Sequence, residues 1–234
     1  MRLGLGISIP GTSGLVQAAG FSPLDLSPVL WLDASDTSTI TEVGGAVSQW
    51  DGKSGNNNNV VQANAAAQPT TGTRTINSLN VIDFDGSDGM PTASASNILQ
   101  PNTVFLVFET DVNTLQYVFD SRASVSARHF FAFDTDYTIE AGTAISGGTT
   151  DFDPHIARIV YNGASSSLFI DAVSTISGNA GSEQWELLGL GARRDGGFPF
   201  DGAIAELIVI DGTLTAGEIA DCEQYLANKW GITI

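Results

Sequence analysis

The strongest constraint on what this chain can fold into is a cadence. From Val29 onward, short runs rich in β-branched and aromatic residues recur roughly every 8 to 12 residues. They read "VLWLDA", "AVSQW", "NVIDFDG", "TVFLVFE", "LQYVFD", "RHFFAFD", "YTIEAG", "HIARIVYN", "SLFIDAV", "ELLGLGA" and "AIAELIVIDG". Gly and Asp cluster at their ends, where tight connections need left-handed or side-chain-capped backbone. Strands this short and this evenly spaced predict an all-β sandwich or barrel. "TVFLVFE" is apolar on both faces and should lie centrally, covered on each side. "HIARIVYN" alternates and should keep one wetter face.

One segment breaks the cadence. In "TLTAGEIADCEQYLANKWGITI", Thr215 and Glu218 have the spacing of a capping box. Ile219, Cys222 and Leu226 fall on one stripe, and Gly231 can supply a left-handed C-terminal residue. Cys222 then reads as a small core residue, since no basic neighbour in the sequence would lower its pKa.

Composition narrows the function classes. With 42% hydrophobic and 15% charged residues in 234, the chain can bury a substantial core as one large β-domain or two small ones. Nine Lys and Arg against 26 Asp and Glu leave a formal charge of −17, which repels a phosphate backbone and argues against a nucleic-acid partner. The single cysteine cannot close an intrachain disulfide, and His129 and His155 alone cannot build a transition-metal site. No apolar run reaches the roughly 18 to 20 residues needed to span a bilayer, so no membrane partner is expected. The opening "MRLGLGISIPGTSGLVQAAG" has an arginine and a short apolar run, but Gly4, Gly6 and Pro10 break it where a secretory signal is helix-permissive. It reads as a terminal arm instead.

A series of blocks in fixed order carries a resemblance. "PVLWLDASDTSTIT", "VSQWDGKSGNNNNVVQ", "QPT", "NVIDFDGSDGM" and "LGARRDGGFPFDGAIAELIVIDGTLTAGEIADCEQYLANKWGI" together resemble the laminin-G-like branch of the concanavalin A-like lectin/glucanase superfamily. Such modules are common in bacterial surface proteins and in bacteriophage structural proteins. The resemblance runs from about Pro28 to Ile234. It implies a jelly roll of two stacked antiparallel sheets with the "YLANKWGI" helix packed beside it, in a domain 28–234 preceded by an attachment arm 1–27. It implies no single activity, because this fold hosts lectins, glycosidases and scaffolding modules. "LGLGISIP" is similar to the short arms of phage structural proteins, which points to a virion location, with other virion proteins or further copies of the chain as partners.

Within that frame the stretch from Trp50 to Asn57 is a loop between early strands. Its Asp, Ser and Asn side chains can bond their own backbone, and Asn56 and Asn57 can equally serve as ligands for sugar hydroxyls or calcium. Disorder is the third reading, and Trp50, which needs a core, speaks against it. The acidic pairs Asp33/Asp36, Asp83/Asp85 with Asp88, Asp134/Asp136 and Asp151/Asp153 are the minimum of a calcium ligand set. Asp83 and Asp85, flanking a bulky strand end, are the better candidates for a calcium ion.

Laminarinase-type hydrolases of the same superfamily carry E-x-D-x-x-E on one strand. The nearest match, "ETDVNT" from Glu109 to Thr114, lacks the third carboxylate that would protonate the leaving oxygen. A non-enzymatic role is therefore expected, either glycan-binding adhesin or virion scaffold. Aromatic and planar cationic side chains suited to sugars are Tyr117, Arg122, His129, Trp185, Arg193 and Arg194. Trp185 can equally be core, and Arg193 and Arg194 in "GARRDGG" can equally tie a hairpin to an acidic surface.

Overall fold

The computed structural model describes residues 20–93, 98–121, 129–186 and 188–234. Its strands are β1 Leu30–Asp33, β2 Ile40–Val43, β3 Ala46–Trp50, β4 Val60–Val61, β5 Thr70–Ile76, β6 Leu79–Asp85, β7 Thr92–Ala93, β8 Asn102–Thr110 and β9 Gln116–Asp120. They continue with β10 His129–Phe133, β11 Tyr137–Ala141, β12 Ala144–Gly147, β13 His155–Tyr161, β14 Ser166–Ile170, β15 Val173–Gly178, β16 Gly189–Leu190 and β17 Asp201–Asp211, before helix α1, Ala216–Trp230. Two antiparallel sheets form: a large one ordered β15-β14-β13-β8-β17-β6-β5-β3-β4-β7, with β1 beside β17 and β2 beside β3, and a small one ordered β12-β11-β10-β9-β16. The expected all-β sandwich with a C-terminal helix is the architecture found.

Alternation along the central strands divides the apolar residues between two cores. On β8, Val104, Leu106 and Phe108 face the small sheet, where they join Phe119 and Phe131 in the inter-sheet core. Phe105 and Val107 point the other way, into a second core shared with Cys222, Leu226 and Trp230 of α1. "TVFLVFE" is thus covered on both faces. "HIARIVYN" departs from expectation, because α1 also covers its outer face. Arg158 there is only 9% exposed and donates from Nε to Glu223 Oε1 at 2.7 Å.

Helix α1 starts and stops where its sequence dictates. Thr215 Oγ1 accepts from Glu218 N at 3.3 Å, Thr215 N donates to Glu218 Oε2 at 2.7 Å, and Gly231 closes the helix at φ 71. What seats it is a wholly buried carboxylate. Glu206 of β17 accepts from Trp31 Nε1 and Trp230 Nε1 at 2.7 Å each, from Tyr225 Oη at 3.0 Å and from Lys229 Nζ at 2.7 Å. Lys229 also reaches Asp33 at 2.6 Å, and Asp33 binds Lys53 at 2.9 Å. A register shift between Ile204 and Glu206 puts Ala205 and Glu206 both on the helix side, while Leu207 and Val209 return to the inter-sheet core. The "WLDA" and "YLANKWG" blocks are therefore the two halves of a helix-to-sheet staple.

Residues 20–27, assigned by sequence to the arm, pack on the domain. Pro23–Leu26 form a 3-10 turn capped by Ser22, Leu26 is 9% exposed in the second core, and Phe21 lies 5.9 Å from the Tyr225 ring. Residues 1–19 of that arm lie outside the described residues.

Candidate functional site

The outer face of the small sheet carries a third apolar group, Tyr117, Phe130 and Ala132, separate from both cores. A register shift on the β9–β10 pair creates it. Val118 and Phe119 both turn inward, so Tyr117 is left on the outer face opposite Ala132. Tyr117 lies 4.6 Å from Phe130 and 5.8 Å from Phe198, the latter pair stacked at 29°.

Phe198 belongs to the loop Gly191–Phe200, which the sheet edge holds tightly. Gly191 N donates to Val118 O at 2.8 Å, Phe200 N to Gly191 O at 2.8 Å, and Tyr117 N to Phe198 O at 3.0 Å. A Cβ on Gly191 would meet the Phe84 ring at 2.1 Å, so only glycine lets the loop approach this closely. At its tip, Arg193 N donates to Gly197 O at 3.0 Å and Arg193 Nε to Asp195 Oδ1 at 2.7 Å. The Arg193 guanidinium then sits 4.8 Å over the Phe198 ring. Arg194 N donates to Asp120 Oδ2 at 2.9 Å, fixing the loop to the end of β9.

Phe198 itself is 40% exposed and sits at φ 51, in the left-handed region and directly before Pro199. A bulky residue there costs about 1–2 kcal/mol, and such strain persists only where the surroundings impose it. The outcome is an exposed aromatic ring backed by a tyrosine and flanked by a guanidinium. Behind the loop is a cavity of about 80 Å³ reached by Gln62, Asp88 and Arg193. Burial, then the neighbouring Asp85 carboxylate, pushes the Asp88 carboxyl up to about 6.

Of the residues singled out by sequence, Tyr117, Arg193 and Arg194 converge here, and Arg122 lies outside the described residues. His129 and Trp185 are corrections, since both are 0% exposed in the interior. Their rings are 5.3 Å apart, the His129 ring lies tilted 3.9 Å from Tyr161, and burial pushes its imidazole down to about 3, keeping it neutral. Alternation along β10 turns His129 inward, and the isolated bridge between Trp185 and Ile98 seats the indole in the inter-sheet core, so neither can touch a glycan. Asn56 and Asn57 sit far along the chain, in the loop after β3. Asn56 Nδ2 donates to Pro28 O and Val29 O at 3.2 Å each, Asn58 Nδ2 to Val29 O at 2.8 Å, and Asn57 takes up φ 56. The asparagine run is a backbone clasp on the entry to β1, which is the structural-turn reading of that loop.

The calcium candidates Asp83 and Asp85 have protein partners of their own. Asp83 Oδ1 is held by Arg74 Nη1 at 3.0 Å, and Asp85 Oδ1 accepts from Ser87 N and Oγ at 2.9 and 2.7 Å. Among the described residues no group of three or more His, Cys, Asp or Glu side chains is placed to hold a metal ion. Phe198 was missed by sequence reasoning. The sequence signal for it is slight, a phenylalanine between a glycine pair and a proline in a turn-rich stretch.

No protein-family model and no curated protein sequence matches the chain. Solved structures do match in fold. Trypanosoma rangeli sialidase in complex with 2,3-difluoro-KDN superposes with a TM-score of 0.62 at 14% identity over 95% of this chain and 36% of that one. The same sialidase in complex with sialic acid gives a TM-score of 0.58 at 14% identity, covering 86% and 33%. The CBM40 of Ruminococcus gnavus IT-sialidase bound to α2,3-sialyllactose gives 0.48 at 11%, covering 61% and 95%. The chain spans about a third of the length of the sialidase it matches. At these identities the likeness is one of fold, a β-sandwich.

Proposed function

We propose that this chain is a non-enzymatic glycan-binding module whose ligand lies on the outer face of the small sheet, against Phe198, Tyr117 and Arg193. The observation that carries the reading is Phe198, an aromatic ring displayed at the surface in a strained backbone conformation and braced on both sides. Aromatic faces stack on the apolar face of a pyranose, and a guanidinium donates in a plane to its hydroxyls or carboxylate. The fold shared with solved sialidase structures, one of them in complex with sialic acid, supports a carbohydrate as the ligand class. The non-catalytic part of the proposal is supported by the carboxylates of "ETD". Glu109 and Asp111 both bind the Arg74 guanidinium, at 3.0 and 2.6 Å, and neither is placed as a free acid. The resemblance to phage structural modules puts this module on a virion in our reading, where many copies would multiply a weak single-site affinity.

The test is glycan binding by the free domain, read on immobilised glycans and host cells, with Phe198→Gly and Arg193→Ala. Glycine relieves the left-handed strain of about 1 kcal/mol and loses ring contacts of similar size, so stability should move by less than about 1 kcal/mol. Binding should fall to background. Wild-type domain that binds no glycan or cell would sink the reading in favour of a scaffold. Release of reducing ends from a polysaccharide would sink its non-enzymatic part.

A further inference from the structure

On the opposite flank, a different side chain joins three segments. His155, at the start of β13 and 8% exposed, directs Nδ1 to Asp171 Oδ2 at 2.6 Å and Nε2 to Asp151 Oδ1 at 2.8 Å. Asp171 lies in the β14–β15 turn at φ 49. It is fixed there by Asp171 N donating to Ile156 O at 2.9 Å and Ile156 N donating to Asp171 Oδ1 at 2.8 Å. Asp151 lies in the crossover, residues 148–154, that carries the chain from β12 in the small sheet to β13 in the large one. Its side chain is 58% exposed and, among the described residues, is otherwise held by the local turn bond from Asp153 N at 2.9 Å. The crossover and His155 form one wall of a cavity of about 510 Å³, which Glu109, Asp171 and Trp230 also line.

An imidazole can donate from both nitrogens only when it is protonated; the neutral ring offers one N–H and one lone pair. A carboxylate facing the lone pair is repelled. We propose that His155 is a pH-operated latch, which as imidazolium pins the crossover to the large sheet and as neutral imidazole releases Asp151, loosening that wall of the cavity. Asp151 is the partner released because Asp171 keeps its two backbone bonds to β13. The charged groups bonded to the ring are Asp171 of the β14–β15 turn and Asp151 of the crossover. Asp153, and Glu109 at the end of β8, share the cavity lining with it, and ionisation of the Tyr137 hydroxyl of β11 is opposed by burial and then by Asp151 and Asp171. Glu109 is itself engaged by Arg74. Burial opposes the imidazolium, but the bonds to Asp171 and then Asp151 outweigh it and hold the pKa above its ordinary value. A raised value means the latch is fully closed below the ordinary histidine range and is lost as pH rises through the folded-state value.

The experiment follows the His155 ring by NMR from about pH 5 to about pH 9, alongside amide hydrogen exchange corrected for its intrinsic pH dependence. Crossover amides should lose about tenfold or more of their protection, with the midpoint read from the ring, while β8 amides stay unchanged. His155→Gln should show the low protection at every pH. Asp151→Ala, at an exposed position that does not threaten folding, should abolish the pH step. Crossover protection that stays flat while the ring titrates, or that keeps its pH step in Asp151→Ala, would overturn the latch.

Discussion

Glu206 shows how much one side chain can decide. It is wholly buried, yet four donors from β1 and α1 converge on it, and Lys229 supplies its countercharge. Burial pushes the Glu206 carboxyl up, with Lys229 opposing the rise. Lys229→Met leaves that carboxylate buried without a cation and should cost about 3–5 kcal/mol in urea unfolding at neutral pH. A raised folded-state value favours the fold at low pH, so the deficit should shrink as pH falls towards the carboxylate range and Glu206 takes up a proton. A deficit that is equal at acidic and neutral pH would mean that Lys229 acts through packing alone. Glu206→Gln with Lys229→Met should recover part of the loss, because the uncompensated charge is gone.

Among the elements, the short 3-10 turn before β1 ties the segment ahead of the strands to the helix-side core. Its cap is complete, with Leu24 N donating to Ser22 Oγ at 3.3 Å and Ser22 N donating to Asp25 Oδ2 at 2.9 Å. Leu26 enters the helix-side core and Phe21 leans on Tyr225. Deleting residues 1–27 should therefore cost about 3 kcal/mol from lost apolar burial, read as a lower urea midpoint. A deletion meant to test assembly should stop at residue 19. If removing 1–27 leaves the midpoint where it was, residues 21–26 do not belong to the folded unit.

For the whole molecule the governing quantity is the charge of −17, carried by 26 acidic side chains against nine basic ones. Several of the basic residues are committed to internal work: Lys53 and Lys229 bridge Asp33, Arg74 gathers Asp83, Glu109 and Asp111, and Arg158 meets Glu223. The remaining surface repels itself, which destabilises the compact state. Raising ionic strength from about 0.01 M to about 0.15 M shortens the screening length from roughly 30 Å to 8 Å and should raise the melting temperature. A melting temperature that falls with salt would mean that the internal ion pairs outweigh the repulsion.

The all-β class and the single capped helix follow from sequence because they rest on local chemistry, whereas short or polar strands such as β2, β4, β5 and β12 escape the apolar cadence. Period-two alternation, glycine and aspartate at the turns, and Thr215 with Glu218 at the cap act over a few residues. The covering of Arg158, the burial of His129 and Trp185, and the clasp of Asn56 and Asn58 on the entry to β1 depend on partners far away in the chain. Two register shifts are decisive. The one beside Glu206 turns a strand carboxylate onto the helix, and the one on β9 brings Tyr117 out beneath Phe198. A one-residue slip exchanges the faces of a strand without changing its composition, so only the tertiary structure could say which side chains meet at the surface and which are lost to the core.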